Sequence, residues 1–167
     1  KRESRIDRSE VPRKAVRWFK DYYEREKKVK WYFEESTTGK SYEAKLNWNG
    51  QKHSVEFDET GRIEDIEVEI SLEQISNEVQ KNIVRYFQTN YEKHRIRKIQ
   101  RQWIGDEEDL EDAIDEDEVE EVETRYEIEF YGKNEEGREL WEGLFDSRGK
   151  LISKRIVKLR PADNLNF

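Results

Sequence analysis

The chain has no cysteine and no methionine, and its 167 residues include two prolines and eight glycines. Without cysteine it can form no disulfide, no thiolate metal site and no cysteine nucleophile. The lack of cysteine does not indicate whether the protein works in an oxidising or a reducing compartment. No apolar run approaches the roughly 20 residues that cross a bilayer. Because the chain starts at Lys1 without an initiator methionine, we expect it to be shortened at the front, so a missing signal peptide is uninformative.

Sequence motifs of catalytic sites are also missing. The chain has no Gly-x-Ser-x-Gly elbow, no phosphate loop, no dinucleotide-binding glycines and no His-Glu-x-x-His. Its two histidines, His53 in a predicted strand and His94 at a predicted helix end, have a spacing that suggests no zinc site. We therefore expect a protein that is not an enzyme and needs no cofactor.

Charge dominates what is present. Charged residues make up 43% of the chain and hydrophobic residues 33%, which approaches the composition of disordered chains. The twenty aromatic residues argue against disorder and predict a folded domain with a charged surface. The net charge of −8 comes from one segment, 106–121, whose twelve acidic residues account for the difference from +4 in the rest of the chain.

Apolar residues recur with helical spacing in two segments that lie 68 residues apart. Each forms a stripe about 100° wide, which is the core-facing side of an amphipathic helix. We expect Ser9 and Asn77 to cap these helices and Gln80 to complete a capping box with Asn77. The matching positions are Val11, Ala15, Val16, Trp18, Phe19, Tyr22 and Tyr23 in the first segment, and Val79, Ile83, Val84, Tyr86, Phe87, Asn90 and Tyr91 in the second.

After each helix the apolar spacing changes to two, which is typical of half-buried antiparallel strands. Asn49-Gly50 predicts a tight type I′ hairpin. The alternating residues are Tyr42, Ala44, Leu46 and Trp48 in the first copy, and Tyr126, Ile128 and Phe130 in the second.

A second hairpin pattern occurs twice in the chain, as HSVEFDETGRIEDIEV over 53–68 and as WEGLFDSRGKLISKRI over 141–156. In each, an Asp can bond the backbone ahead of it, and a Gly can take the left-handed conformation of a type I turn with a bulge. These residues are Asp58 and Gly61 in the first copy, and Asp146 and Gly149 in the second.

These patterns predict an α+β protein, a tandem repeat of one helix packed on about four antiparallel strands. The two sheets can join into one broad curved sheet with both helices on one face. The predicted boundaries are an N-terminal tail over 1–8, a first repeat over 9–70, a second repeat over 71–160 with an acidic insertion at 105–121, and a C-terminal tail over 161–167.

The helix endings RWFKDYYE and RYFQTNYE, the YEA and YEI strands and the Phe-Asp-x-x-Gly hairpins resemble PepSY-like domains. More specifically, they resemble the beta-lactamase-inhibitor-like group that is common in the cell envelope of Bacteroidetes. The resemblance covers nearly the whole chain and implies helix-plus-sheet repeats. It also implies an exported, periplasmic or lipid-anchored binding or inhibitory module. The acidic insertion departs from the pattern, and no catalytic or ligand residue is carried over.

The acidic segment DEEDLEDAIDEDEVEE predicts a solvated, mobile insertion between two strands, with a weak helix over 108–114. Diffuse calcium binding is an alternative, because hard cations prefer several oxygen ligands. An electrostatic contact with a basic partner is another. An EF-hand is excluded, because no glycine lies between Gly105 and Gly132. The carboxylates proposed for calcium are Asp112, Asp115, Asp117 and Glu118.

The basic run KHRIRKIQR lies just before the acidic segment, between Tyr91 and Trp103. Cations interleaved with aromatics can bind single-stranded nucleic acid. The solvent face of a strand, partly neutralised by the acidic segment, is the favoured interpretation, and the neighbouring negative charges lead us to expect no nucleic acid. The cations are Lys93, Arg95, Arg97, Lys98 and Arg101.

Six aromatic residues are predicted in the core: Trp18, Phe19, Phe57, Tyr86, Phe87 and Phe145. Other apolar residues on strands or hairpin ends belong either to the rim of the core or to a sheet face that the helices leave bare, where they would contact a partner. These candidate binding residues are Tyr32, Trp48, Tyr131, Trp141 and Leu144.

The function predicted from the sequence is a non-enzymatic binding or inhibitor-like module of the cell envelope. It would present an antiparallel sheet face to an unidentified protein or peptide. We expect it to be periplasmic or secreted, and a lipid anchor on the missing N-terminal part is compatible with this. A calcium-responsive protein and a single-stranded nucleic-acid binder are the alternatives.

Overall fold

The structure is a computed structural model that describes residues 2–23 and 28–158. The described helices are α1 (Arg13–Tyr23), α2 (Asn77–Asn90) and α3 (Glu107–Asp115). The described strands are β1 (Arg2–Ile6), β2 (Lys30–Ser36), β3 (Gly39–Trp48), β4 (Gln51–Asp58), β5 (Ile63–Ile70), β6 (Lys93–Ile104), β7 (Glu123–Asn134), β8 (Gly137–Phe145) and β9 (Leu151–Ile156). None of the helices in these ranges has the length and apolar content that a membrane-spanning helix needs.

The nine strands form one open antiparallel sheet whose strand order follows the chain. The α+β class and the single sheet are therefore confirmed. The chain falls into two compact units: unit 1 holds 1–69 and 101–124, and unit 2 holds 70–100 and 125–167. The segment 101–124 thus groups with unit 1, although the sequence assigned it to a second repeat.

In unit 1, α1 packs its aromatic stripe against one face of the strands. The ring of Trp18 lies 5.7 Å from that of Phe57, and the ring of Phe19 lies 5.4 Å from that of Trp31. All four side chains are buried. Burying an aromatic side chain contributes roughly 2–3 kcal/mol, so this contact is a major source of stability. In each unit we call the strand face that contacts the helix the inner face, and the opposite one the outer face.

In unit 2, α2 makes the corresponding contact. The ring of Phe87 lies 4.7 Å from that of Phe130, and the ring of Tyr86 lies 5.4 Å from that of Phe145. Five of the six aromatics predicted for the core are buried, and Tyr86 is half-buried. The helical spacing therefore identified the packing residues of both helices.

The predicted turn chemistry is confirmed in both hairpins of the FDxxG type. Asp58 Oδ1 accepts N–H bonds from two residues of its turn at 2.8 and 3.0 Å, and Asp146 Oδ1 accepts two at 2.9 Å. Gly61 and Gly149 have φ angles of 91° and 87°. The register shifts at Glu56/Phe57 and at Leu144/Phe145, as the predicted bulge requires.

The Asn49-Gly50 turn between β3 and β4 is also confirmed, because both residues have positive φ angles, 52° and 79°. Two positive φ values in succession define a type I′ turn, whose twist matches that of the flanking strands.

The predicted cap of the first helix is wrong. Ser9 lies inside a short 3-10 turn, Arg8–Glu10, that precedes α1 and is capped by Asp7. The Asp7 carboxylate accepts the Ser9 N–H at 3.1 Å, and the Glu10 carboxylate accepts the Asp7 N–H at 2.9 Å. Because this turn satisfies its own backbone donors, α1 begins later, after Pro12.

The predicted cap of the second helix is wrong by one position. Asn77 is the first residue of α2, and Ser76 occupies the cap position. Gln80 forms no capping box with Asn77. The box lies upstream, in another 3-10 turn, where the Ser71 N–H donates to Gln74 Oε1 at 2.9 Å.

Two segments predicted to lack regular structure are ordered elements. Residues 2–6, assigned to an N-terminal tail, form β1 and pair with β2. The acidic segment forms α3, close to the weak helix predicted over 108–114, and it contacts α1. Leu110 and Ala113 are buried on one side of α3, so α3 is docked, whereas residues 116–121 are exposed to solvent.

Candidate functional site

The outer faces of both units are rich in charge and carry few aromatic residues. On β3 and β4 of unit 1, buried Ala44 and Val55 face inward, while Glu43 and Glu56 alternate with them outward. In unit 2 the same alternation leaves Tyr131 on the outer face of β7, next to inward-facing Phe130. A partner that approached either outer face would first meet charged groups.

The outer face of unit 2 contains a groove of about 520 Å³ in which basic side chains surround one tyrosine. Tyr131 is half-buried, and the guanidinium carbons of Arg138 and Arg95 lie 4.3 and 5.2 Å from its ring centroid. Both distances fall within the range of cation–π attraction. We call this group the Tyr131 cluster; its lining residues are Lys93, His94, Arg95, Tyr131, Lys133 and Arg138.

The cations of the Tyr131 cluster lack acidic partners. Among residues 2–23 and 28–158, no carboxylate lies within 4.0 Å of Lys93, Arg95, Lys133 or Arg138. His94 lies in β6 rather than at a helix end, and its ring stacks on Phe87 of α2 at 4.6 Å, so the imidazole is on the inner face and not in the groove. The groove is therefore a local concentration of positive charge in a chain of net charge −8.

Unit 1 carries a comparable group on its outer face, which we call the Tyr32 cluster. The Lys45 Nζ lies 4.4 Å and the Arg5 guanidinium carbon 5.9 Å from the ring centroid of Tyr32. Here carboxylates are present: Lys45 Nζ is 2.8 Å from Glu3 Oε1 and 3.2 Å from Glu43 Oε1. Burial alone would lower the pKa of Lys45, but these two contacts raise it to about 12.

The other predicted binding residues do not share one face. Trp48 lies on the inner face of unit 1, with its ring 5.0 Å from that of buried Tyr23. Trp141 is opposite Phe130 and so lies on the inner face of unit 2, where Lys154 Nζ is 4.4 Å from its ring. Leu144 is half-buried on the outer face of β8. Of the five candidates, one, Tyr131, belongs to the basic groove.

Both outer faces also place two carboxyl groups directly opposite each other on neighbouring strands. In unit 1 the pair is Glu56 and Asp65. Burial, and next the charge of Glu56, raise the pKa of Asp65, whose side chain is also hydrogen-bonded to Glu56. A proton therefore holds this pair together at neutral pH.

In unit 2 the opposed carboxylates are Glu129 and Glu142, and arginines accompany them. Arg97 Nη1 lies 3.7 Å from Glu129 Oε1, and Arg155 donates to both oxygens of Glu142 at 3.2 and 3.0 Å. The repulsion that a proton relieves in unit 1 is relieved by guanidinium groups in unit 2.

A smaller cavity of about 150 Å³ lies in unit 1, lined in part by Trp48, His53, Arg101 and α3. The Tyr23 hydroxyl and His53 Nδ1 are 3.2 Å apart. Burial, and to a lesser extent Arg101, lower the pKa of His53 to about 4, so its ring is neutral at pH 7. His53 is thus a core residue.

The acidic residues proposed for calcium lie in α3 or just after it: Asp112, Asp115, Asp117 and Glu118. In the described ranges they form no group of three carboxylates close enough to share an ion. One such group exists elsewhere, formed by Glu3, Glu34 and Glu43. Lys45 already supplies a cation to it, so its geometry is explained without a metal.

The basic run that suggested nucleic-acid binding is divided among different contacts. Its first two cations belong to the Tyr131 cluster, Arg97 contacts Glu129, and Arg101 lies over the ring of Trp103 at 4.1 Å. A continuous basic stripe, as single-stranded nucleic acid requires, is therefore not formed.

No protein-family model matches the chain, and no curated protein matches it significantly. Solved structures do. A DUF2874 family protein from Bacteroides ovatus has a TM-score of 0.63 and 17% identity, covering 93% of this chain and 97% of its own. A BLIP-like protein from Bacteroides fragilis has a TM-score of 0.58 and 14% identity, covering 90% of this chain and 89% of its own. A protein from Bacteroides eggerthii, proposed to be periplasmic, has a TM-score of 0.59 and 11% identity, covering 88% of this chain and 89% of its own.

These similarities show a shared fold. It is the fold that the resemblance to beta-lactamase-inhibitor-like proteins led us to expect, extending over nearly the whole chain. Identities of 11–17% do not by themselves transfer a ligand, a partner or a compartment.

Sequence reasoning missed most of the groove. It identified Tyr131 as an exposed aromatic and Arg95 as part of a basic run, but it did not connect them. Arg138, which completes the cluster, carried no local signal, because it follows a turn and stands alone among mixed charges. The pairing of β7 with β8 places Lys133 directly opposite it.

Proposed function

We propose that this protein is a non-enzymatic binding module of the cell envelope, and that it uses the outer face of unit 2 to contact a protein or peptide partner. The observation that carries the proposal is the Tyr131 cluster, in which one tyrosine and two arginines line an open groove. Tyrosine and arginine are enriched among the residues that dominate binding energy at protein interfaces.

The arrangement of the side chains in the cluster supports this use. Tyr131 is half-buried, and two guanidinium groups rest against its ring. Ordering a long side chain costs roughly 0.5–1.5 kcal/mol on binding, and part of this cost is already met when the side chain lies on a ring in the free protein.

The proposed location in the periplasm or outside the cell rests on similarity. The BLIP-like neighbour and the neighbour proposed to be periplasmic share this fold at TM-scores of 0.58 and 0.59. An inhibitor-like role is the corresponding hypothesis for activity, and it leaves the target open.

We also infer that the two units derive from one helix-and-sheet motif. The supporting features are paired: the FDxxG hairpins share turn bonds and a bulge, and each helix follows a 3-10 turn closed by a side chain, Glu10 in unit 1 and Gln74 in unit 2.

Site-specific photo-crosslinking tests the binding function. A photoreactive residue at Lys133, which is exposed beside Arg138, should capture a defined protein from an envelope extract, to be identified by mass spectrometry and then bound in purified form. The matched control carries the same residue at exposed Lys52 on the outer face of unit 1.

A protein captured at position 133 and not at 52, with displacement by excess unlabelled protein, is the expected result. Equal capture at both positions, or none at 133, would overturn the proposal that this face of unit 2 is the contact surface.

A further inference from the structure

We propose that the Tyr131 cluster binds a short acidic segment of a partner protein through its Asp and Glu side chains. This inference rests on the proposed function and specifies the chemistry of the partner. It begins with a contrast: Arg97 and Arg155 on the same outer face each contact a glutamate, whereas the cluster cations contact no carboxylate in the part of the chain that the structure describes. Converging cations without counter-charges repel one another, and an incoming anion relieves that repulsion.

The side chains present suit carboxylates. The guanidinium carbons of Arg95 and Arg138 lie 5.2 and 4.3 Å from the Tyr131 ring centroid, and no carboxylate of the described residues pairs with either group. A guanidinium binds a carboxylate through two parallel N–H bonds, and such charged bonds are about twice as strong as neutral ones. Lys93 and Lys133 provide mobile ammonium groups for further acidic side chains.

The surroundings limit the length of the ligand. Glu129 and Glu142 lie on the outer face toward one end of the groove, and Glu135 and Glu136 occupy the turn at the other end. A long polyanion such as nucleic acid would have to cross the turn at 135–136. Unlike Glu129 and Glu142, the two glutamates of this turn have no arginine partner among the described residues, so they would repel it. A few acidic residues of a protein segment can be accommodated within the groove of about 520 Å³.

Fluorescence anisotropy with a labelled hexaglutamate peptide tests the chemistry directly. We expect saturable binding that weakens about tenfold between 50 and 200 mM salt, because exposed charges are screened. A hexaglutamine peptide should not bind. In the double variant Arg95→Gln/Arg138→Gln the affinity for hexaglutamate should fall at least tenfold.

The control variant is Arg148→Gln/Lys150→Gln, which removes the same charge from exposed positions of unit 2 outside the cluster. Its affinity should stay within about twofold of the parent. Circular dichroism and the thermal midpoint should show that both variants are folded. An equal loss in both, or no loss in the cluster variant, would overturn the inference.

Two further outcomes separate this inference from the proposed function. If a single-stranded DNA hexamer binds as tightly as hexaglutamate, the groove is a general polyanion site and the inference is wrong. If hexaglutamate does not bind while crosslinking at position 133 captures a partner, the binding function stands and the acidic-segment inference falls.

Discussion

Unit 1 and unit 2 share the construction of their hairpins but differ in how their outer faces balance charge. Both FDxxG hairpins bring a glycine against the start of a helix. A Cβ on Gly61 would lie 2.9 Å from Pro12 Cβ, and one on Gly149 would lie 2.6 Å from the Val79 carbonyl oxygen. In both units, therefore, the hairpin glycine packs closely against the start of the helix.

The outer faces diverge at two places. The opposed carboxyl groups share a proton in unit 1 and contact arginines in unit 2. The tyrosine–cation clusters differ as well. Lys45 beside Tyr32 is paired with Glu3 and Glu43, whereas the cations beside Tyr131 have no acidic partner within 2–23 and 28–158. The two units thus share hairpin construction but differ in the chemistry of their outer faces. The surface to test for binding is the one around Tyr131, where positive charges lie together without acidic partners among the described residues.

The largest expected effect is a loss of stability when the hairpin glycine that both units share is replaced. Gly149→Ala should lower the free energy of unfolding by about 3 kcal/mol, because alanine is strained at a φ of 87° and its Cβ would collide with the Val79 carbonyl. Gly61→Ala should cost nearly as much. Urea unfolding measures both.

Gly137→Ala is the matched control for these glycine substitutions. Its φ of 123° also disfavours alanine, but no atom lies within 4 Å of the added Cβ. Its cost should be smaller, about 1 kcal/mol from backbone strain alone. Equal costs at all three positions would show that the approach to the helix contributes nothing.

The next effect addresses the proton-sharing pair. The pKa of Asp65 is raised in the folded protein, so its contribution to stability is complete below about pH 4 and is lost as the pH rises. In Asp65→Asn the amide donates to Glu56 without a bound proton. The free energy of unfolding of this variant should match that of the parent at pH 4 and exceed it by about 1 kcal/mol at pH 8. Urea unfolding at both pH values checks this, and a variant that is less stable at pH 8 would contradict it.

A smaller effect concerns the two tyrosine clusters. Glu3→Gln/Glu43→Gln leaves Lys45 with fewer acidic partners and so makes the Tyr32 cluster resemble the Tyr131 cluster. Affinity for hexaglutamate should rise about threefold, or about 0.7 kcal/mol. The control is Glu35→Gln/Glu59→Gln, which removes the same charge from exposed positions. An equal gain in the control would mean that net charge, and not the cluster, determines binding.

The smallest effect concerns the arginine-paired carboxylates of unit 2. Arg155 is 67% exposed, so Arg155→Gln should lower the free energy of unfolding by only about 0.5 kcal/mol. Chemical denaturation is the measurement. A loss above about 1.5 kcal/mol would mean that Arg155 is essential for holding Glu129 and Glu142 together.

Much of the fold could be predicted from short-range patterns. The stripe that contains Trp18 and Phe87, the Asn49-Gly50 turn and the Asp and Gly of both FDxxG hairpins act within a few residues, so their consequences can be read locally. The helix starts at Ser9 and Asn77 were predicted wrongly, because each helix follows a 3-10 turn that has its own capping residues, Asp7 in one case and Ser71 in the other.

The groove at Tyr131 was the least predictable feature, since it depends on which strands are neighbours. Arg95 and Arg138 are 43 positions apart in the sequence, yet both rest on Tyr131. A residue's own strand predicts that it points outward, but not what lies across from it.

The α+β class, the core-facing side of the two long helices, the hairpin turns and the concentration of negative charge in 106–121 can be predicted from the amino-acid sequence, because each follows from local periodicity or composition. The docking of α3 in unit 1 and the proton between Glu56 and Asp65 depend on the folded arrangement of distant segments. So does the lack of acidic partners, among the described residues, for the cations around Tyr131. The reason is that strand register sets the distances between charges that are far apart in the chain, and those distances decide which charges cancel.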